Sequence, residues 1–246
     1  MTATSKQQVG DPARTGARWI VPARLYISLV SAAGVAAMAF AFARPQWPHD
    51  PARFCIYLLL SLIAATVKLR LPGLTSTMSI GFVFVLLGIS EFTPPETMLI
   101  ACAGVVVQCF WRAQSRPTPV QVIFSVSAVA TSLMLAYGCA QAVRAELPSQ
   151  SFSIAMAAAT CLYFVSNSLL VSGVLSLVKR EPLRAVWRRC YRFAFPYYLL
   201  GGLVAGLLAA LSREIGWKLL LLVLPVMGVA SLLCRFPSVA PKVEAR

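Results

Sequence analysis

The stretch that decides the fold of this chain is residues 68–116, KLRLPGLTSTMSIGFVFVLLGISEFTPPETMLIACAGVVVQCFWRAQSR. Two apolar runs, 78–92 and 97–111, flank a turn that carries Glu91 and Glu96, and both outer ends of the stretch are basic. Each run has about 15 residues, which at about 1.5 Å per residue gives roughly 22 Å against a hydrocarbon core of about 30 Å. The stretch therefore predicts a membrane hairpin with short arms, which either crosses the bilayer or turns back within it.

The composition of the whole chain agrees with a membrane protein. Of its 246 residues, 59% are hydrophobic and only 12% are charged, and the mean hydropathy is +0.75. Soluble domains carry about 25% charged residues. The net charge of +14 does not indicate a nucleic-acid partner, because the basic residues lie between apolar runs and not on one water-facing surface. The charge is instead typical of the Lys and Arg that collect in cytoplasmic loops.

Eight apolar segments predict the domain organisation. They lie at 25–43, 54–67, 78–92, 97–111, 120–143, 152–178, 193–211 and 217–233. We expect an all-α polytopic transmembrane bundle of about eight segments, or of six spans plus a re-entrant hairpin, since only internally bonded helices satisfy the backbone in lipid. This helical domain covers 25–236, with a mobile cytoplasmic tail at 1–24 and a short one at 237–246.

The distribution of Lys and Arg predicts how the chain is threaded. With the N-terminus inside, 17 of the 22 basic residues fall on the cytoplasmic side and 5 on the other. We therefore expect a multi-pass protein of a bacterial cytoplasmic (inner) membrane with both termini in the cytoplasm. The count does not distinguish a crossing hairpin from a re-entrant one, because both return to the side on which they began.

The most basic segment, PLRAVWRRCYRF at 182–193, has the pattern of an amphipathic helix. Its arginines fall largely on one face, and we expect them to contact anionic lipid headgroups, each gaining about 1 kcal/mol. These residues are Arg184, Arg188, Arg189 and Arg192. An acidic protein partner is the alternative contact for the same face.

The acidic turn is the candidate ligand-facing part of the module. Glu91 and Glu96 lie between two short arms, on a side otherwise poor in charge. Gln108 and Asn167 are the expected polar neighbours, since polar groups at membrane depth face protein or a water-filled cavity. The alternatives are an ordinary solvated turn for the carboxylates and a hydrogen bond between helices for Asn167.

Residue patterns that indicate catalysis are not found. The sequence has no HExxH or GxSxG motif, no paired carboxylates inside an apolar run and a single histidine, His49. Its seven cysteines are scattered without a CxxC spacing and are interpreted as packing residues. We therefore expect no enzyme activity, no metal and no cofactor.

Five short sequences carry a resemblance to a known family: VKLRLPGLTSTMS (67–79), Glu-x-x-x-Pro-Glu-Thr (91–97), FWR (110–112), FPYYL (195–199) and LPVM (224–227). Together they resemble the multi-span, MASE-type sensor regions found N-terminal to GGDEF cyclase or HD-type phosphodiesterase domains in bacterial signalling proteins. The resemblance implies a receptor-like membrane module and brings no ligand residues with it.

The chain departs from that family pattern because it stops just after its last apolar segment. We expect a sensory or ligand-binding module without its own output domain, which works with a cytoplasmic signalling partner or as a homo-oligomer. A small-molecule transport subunit is the alternative, followed by a membrane enzyme.

Overall fold

The computed structural model describes residues 12–43, 50–70, 77–111, 116–147, 151–191 and 194–215. These residues form eight helices and one two-stranded ribbon. In chain order the elements are α1 (Pro12–Phe42), α2 (Pro51–Thr66), β1 (Lys68–Arg70), β2 (Thr77–Ser79), α3 (Phe82–Glu91), α4 (Pro94–Phe110), α5 (Pro119–Glu146), α6 (Ser151–Lys179), α7 (Leu183–Tyr191) and α8 (Phe195–Ile215).

Three of the helices are long and apolar enough to cross a membrane, namely Val21–Phe42 of α1, Pro119–Glu146 and Phe152–Lys179. The helical prediction for 25–43, 120–143 and 152–178 is confirmed. Helix α1 begins at Pro12, so much of the segment predicted as a tail is helical. The apolar segment at 217–233 and the tail at 237–246 lie outside the described residues.

The predicted hairpin consists of a short helix and a longer one. Helix α3 has 10 residues and α4 has 17, with Phe92 and Thr93 between them. The run expected to begin at Met78 starts instead as strand β2, which pairs antiparallel with β1 in the register Lys68 to Ser79. Apart from this ribbon of three residues per strand, the described elements are helices, as the all-α prediction requires.

Three helices begin with the same local chemistry, a capping residue followed by proline. Asp50, Thr93 and Thr118 hold the cap positions of α2, α4 and α5. The Glu96 and Gln121 side chains reach back and accept hydrogen bonds from the backbone N–H groups of Thr93 and Thr118, both at 2.9 Å. These contacts satisfy donors that a helix start leaves unpaired.

Helix α3 lies at the centre of the bundle. All residues from 83 to 89 are buried, and the helix contacts α2, α4, α5, α6 and α8. A helix that is apolar on every side is stable only when other helices surround it. Its length of about 15 Å is only half the thickness of the hydrocarbon core of a bilayer.

The longer helices α5 and α6 pack against each other, and α1 packs against α5.

Candidate functional site

A cavity of about 340 Å³ lies inside the bundle. Its walls are the second half of α2, the last residue of β2, the first half of α3, the second half of α4, the first half of α5, the middle of α6 and the start of α8. All these parts lie towards the same end of the bundle, the end that carries the basic ribbon Lys68–Arg70. The cavity volume is at the lower end of the range for small-molecule sites, about 300–1,000 Å³.

Two of the predicted ligand-binding residues, Gln108 on α4 and Asn167 on α6, line this cavity. Hydroxyl groups complete its polar surface, contributed by Ser61, Ser79, Ser125, Tyr163 and Tyr198. The remaining lining is apolar or glycine apart from one cysteine, and none of the described lining residues is charged. Such a surface offers hydrogen bonds to a ligand but no opposite charge for an ionic one.

Helical periodicity places the lining residues of each helix on one face of that helix. On α6, Tyr163, Asn167 and Val171 follow one another at intervals of four residues, and on α4, Gly104 and Gln108 do the same. Residues four apart lie on the same face of a helix. Tyr163 was not among the site residues predicted from the sequence. Its interval of four residues from Asn167 is the sequence signal that could have identified it.

Aromatic packing fixes the position of Tyr198, which lines the cavity at the start of α8. The Tyr198 ring lies 4.5 Å from the ring of Phe82 and 4.8 Å from that of Phe164, measured between centroids. Its hydroxyl lies beside the side chain of Asn167. Because Tyr198 is only 7% exposed, its ring and hydroxyl are held in a defined orientation facing the cavity.

The two predicted carboxylates do not line the cavity. Glu96 lies 12 residues before Gln108 on α4, which separates them by about 18 Å along the helix axis. The Glu96 carboxylate is 6% exposed and accepts hydrogen bonds from the N–H and the hydroxyl of Thr93, at 2.9 and 2.6 Å. Its observed contacts therefore stabilise the start of α4.

Glu91, the last residue of α3, forms an ion pair with Arg53 in the first turn of α2. The Glu91 side chain is 7% exposed and the Arg53 side chain 25% exposed. The structure thus places the four candidate ligand residues in two groups, with Gln108 and Asn167 at the cavity and Glu91 and Glu96 at the opposite end of α4.

The basic segment forms helix α7, as its periodicity predicts. Arg184 and Arg188 are exposed, whereas Val186 is 3% exposed and buried against the bundle. The indole N–H of Trp187 donates a hydrogen bond to the hydroxyl of Ser168 on α6 at 3.0 Å. Val186 and Trp187 on the apolar face of α7 therefore pack against the bundle, whereas Leu183 on the same face is exposed. The side chain of Arg189 and all of Arg192 lie outside the described part of the chain.

Within the described part of the chain, no three His, Cys, Asp or Glu side chains are grouped closely enough to hold a metal ion. Comparison of the chain with protein-family models, with curated proteins and with solved structures finds no match.

Proposed function

We propose that this chain is a multi-pass protein of the bacterial cytoplasmic membrane that binds a small uncharged ligand inside its helical bundle and acts as the sensory module of a signalling system. The observation that carries this proposal is the uncharged cavity, with Gln108, Asn167 and Tyr198 on three different helices facing it. A ligand that joins three helices stabilises one arrangement of them over others, which is what a sensor requires.

The connection of the cavity to α7 supports a sensor in particular. Helices α6 and α8 both line the cavity, and α7 lies between them in the chain. Asn167 at the cavity is adjacent to Ser168, which holds Trp187 of α7. We propose that a ligand contact at Asn167 shifts α6 at Ser168 and so reaches a helix that carries exposed arginines. We propose that this helix contacts anionic lipid headgroups or a cytoplasmic signalling partner.

The Arg53–Glu91 pair supports a hairpin that reaches the outer side of the membrane. It joins the turn after α3 to the first turn of α2, so the hairpin covers nearly the same depth as α2. Helix α2 has 16 residues, or about 24 Å, so this part of the bundle is thinner than a typical bilayer core. We favour eight membrane segments on this ground, with 217–233 as the last.

Binding of a neutral probe tests the proposal. The full chain in dodecyl maltoside is titrated with trifluoroacetamide, an uncharged amide, and with trifluoroacetate, an anion of similar size, and both are followed by fluorine NMR. We expect the amide to bind and the anion not to. Replacing both Gln108 and Asn167 by leucine should weaken amide binding about tenfold or more, since each lost hydrogen bond contributes about 1 kcal/mol.

The matched control is Gln141→Leu, which removes an exposed glutamine near the end of α5, away from the cavity. It should bind the amide as the wild type does. Equal binding of amide and anion, or a double leucine variant that binds like the wild type, would contradict the proposed site.

Neighbouring genes for a cyclase, phosphodiesterase or kinase agree with a sensor, whereas a neighbouring ATPase gene contradicts it in favour of a transport subunit.

A further inference from the structure

A second polar site lies at the opposite end of the bundle from the cavity, around the side chain of Arg53. The guanidinium carbon of Arg53 lies 5.3 Å from the centre of the Phe92 ring and 5.7 Å from that of Tyr57. The two rings meet edge to face with centroids 4.7 Å apart. Together with the Glu91 carboxylate, the two rings surround the Arg53 guanidinium, and we call this set of two aromatic rings and one negative charge the aromatic-acidic pocket.

This pocket has more hydrogen-bonding capacity than Arg53 uses. Among the described residues, the Nε of Arg53 and the second carboxylate oxygen of Glu91 are buried without a hydrogen-bond partner, and the Tyr57 hydroxyl is buried beside the Arg53 guanidinium without a hydrogen bond of good geometry. Tyr57 is fully buried, and the Glu91 side chain is 7% exposed. An ion pair that serves only stability is expected to satisfy such groups, because each unpaired buried polar group is costly.

The unused groups match the chemistry of a free cation better than that of Arg53. A guanidinium that is not attached to the chain can donate two parallel N–H groups to both carboxylate oxygens, which is the strongest geometry for this pair. A further N–H can reach the Tyr57 hydroxyl, and the ring of Phe92 attracts the positive charge through its face. Methylated ammonium ions use aromatic rings in the same way.

We propose that the aromatic-acidic pocket is a binding site for a small organic cation, of the guanidinium or methylated ammonium class, and that the side chain of Arg53 occupies this site in the present conformation. Arg53 is in the first turn of α2 and is 25% exposed, so its side chain has a direct path out of the pocket. Asp50, which caps α2 and already accepts the Arg53 backbone N–H at 3.0 Å, supplies a negative charge beside that path.

The site is separate from the cavity and does not depend on the function proposed for it. None of Arg53, Tyr57, Glu91 and Phe92 lines the cavity. The two sites also differ in chemistry, since the described cavity lining is uncharged and the aromatic-acidic pocket contains a carboxylate.

Equilibrium dialysis of radiolabelled methylguanidinium against the full chain in dodecyl maltoside tests this proposal, with sodium chloride keeping the ionic strength constant. We expect one saturable site in the wild type. Arg53→Ala should bind the probe about tenfold more tightly, because the competing side chain is gone. Glu91→Gln should bind it about tenfold more weakly or worse, because the charged partner is lost.

Tyr57→Phe separates recognition from folding. The Tyr57 hydroxyl lies beside the Arg53 guanidinium without a hydrogen bond of good geometry, so we expect its removal to cost the fold little. We expect this variant to bind methylguanidinium more weakly and tetramethylammonium as the wild type does, since tetramethylammonium has no N–H to donate. Glu96→Gln is the matched control, because glutamine also serves as a helix-capping residue at that position, and its binding should be unchanged.

The absence of saturable binding to the wild type would overturn the proposal, even if Arg53→Ala binds, since truncation by itself creates a space that guanidinium fills. Equal loss of both probes in Tyr57→Phe would overturn it as well. Displacement of the label by free choline would show that a soluble methylated ammonium ion enters the site. Displacement only by phosphatidylcholine added to the micelle identifies a lipid headgroup.

Discussion

At the scale of single residues, the hairpin is closed by a contact between Gly88 on α3 and Thr97 on α4. The Thr97 hydroxyl donates to the carbonyl oxygens of Gly88 and Thr93, both at 2.9 Å, and the side chain is fully buried. A Cβ atom at position 88 would lie 2.6 Å from the Thr97 methyl carbon. The two helices therefore approach each other as closely as they do only because position 88 has no side chain.

Gly88→Ala should destabilise the protein by about 1–2 kcal/mol, because the steric clash outweighs the gain of about 1 kcal/mol in helix propensity. Thermal unfolding of the full chain in detergent measures this effect. Adding Thr97→Ser removes the clashing methyl group and keeps the hydroxyl, so the double variant should recover most of the lost stability. If Gly88→Ala is as stable as the wild type, the close approach of α3 and α4 is not present in solution.

The same turn shows which residue roles could be predicted from sequence. Thr93 and Glu96 are three residues apart and have the spacing of a capping box, so the role of Glu96 was recognisable locally. The partner of Glu91 was not, because Arg53 lies 38 residues earlier in the chain. The spacing of charges predicted a polar turn, but only the packing of α2 against the hairpin brings these two charges together.

At the scale of elements, α7 packs against α6. Val186 is buried, and the indole N–H of Trp187 donates to Ser168. The connection from α6 turns at Arg180, whose φ of 58° is in the left-handed region, and the Ser176 hydroxyl donates to the Glu181 carbonyl at 2.6 Å. A short helix joined to its neighbour through a part-buried side-chain hydrogen bond is the kind of element that opens before the rest of the fold.

Trp187→Phe keeps most of the ring and removes the hydrogen bond, which should favour opening of α7 by about 1 kcal/mol, or roughly fivefold. Trypsin cleavage after Arg184 and Arg188, which are exposed, reports this opening. Ser168→Ala should have the same effect, and combining both changes should add little because they remove one shared bond.

Ser166→Ala is the control for this experiment. Its hydroxyl bonds to the Leu162 carbonyl within α6 and not to α7, so the cleavage rate should stay at the wild-type value. Fully additive effects of Trp187→Phe and Ser168→Ala would show that the two side chains do not interact in solution.

Element types were predicted more accurately than element lengths. The long helices α5 and α6 follow apolar segments of the expected length, because a span must cover the hydrocarbon core. The start of α3 differed from the prediction, since apolar content does not distinguish a buried strand from a buried helix over a few residues. Residues 77–79 pair with β1 and so begin the hairpin as a strand.

At the scale of the whole molecule, the cavity lies at the end of the bundle that carries the basic strand β1. Ser61 of the cavity wall lies two turns before the basic strand β1, and Gln108 lies at the end of α4 that leads to Arg112 and Arg116. The distribution of charge predicts that this end is cytoplasmic. We therefore predict that the cavity lies in the cytoplasmic half of the bundle and the aromatic-acidic pocket in the outer half.

The two ends of α5 provide the test of this orientation, because the helix is 28 residues, or about 42 Å, long and exposed at both ends. In a background without native cysteines, Leu147→Cys should react in intact cells with a thiol reagent that does not cross membranes. Thr118→Cys should react only after the cells are made permeable. Both positions are exposed, so a difference between them reports the side of the membrane and not burial. The reverse labelling pattern would place the cavity end and the 17 basic residues on the outer side of the membrane. Helix α7 would then be unable to meet a cytoplasmic partner.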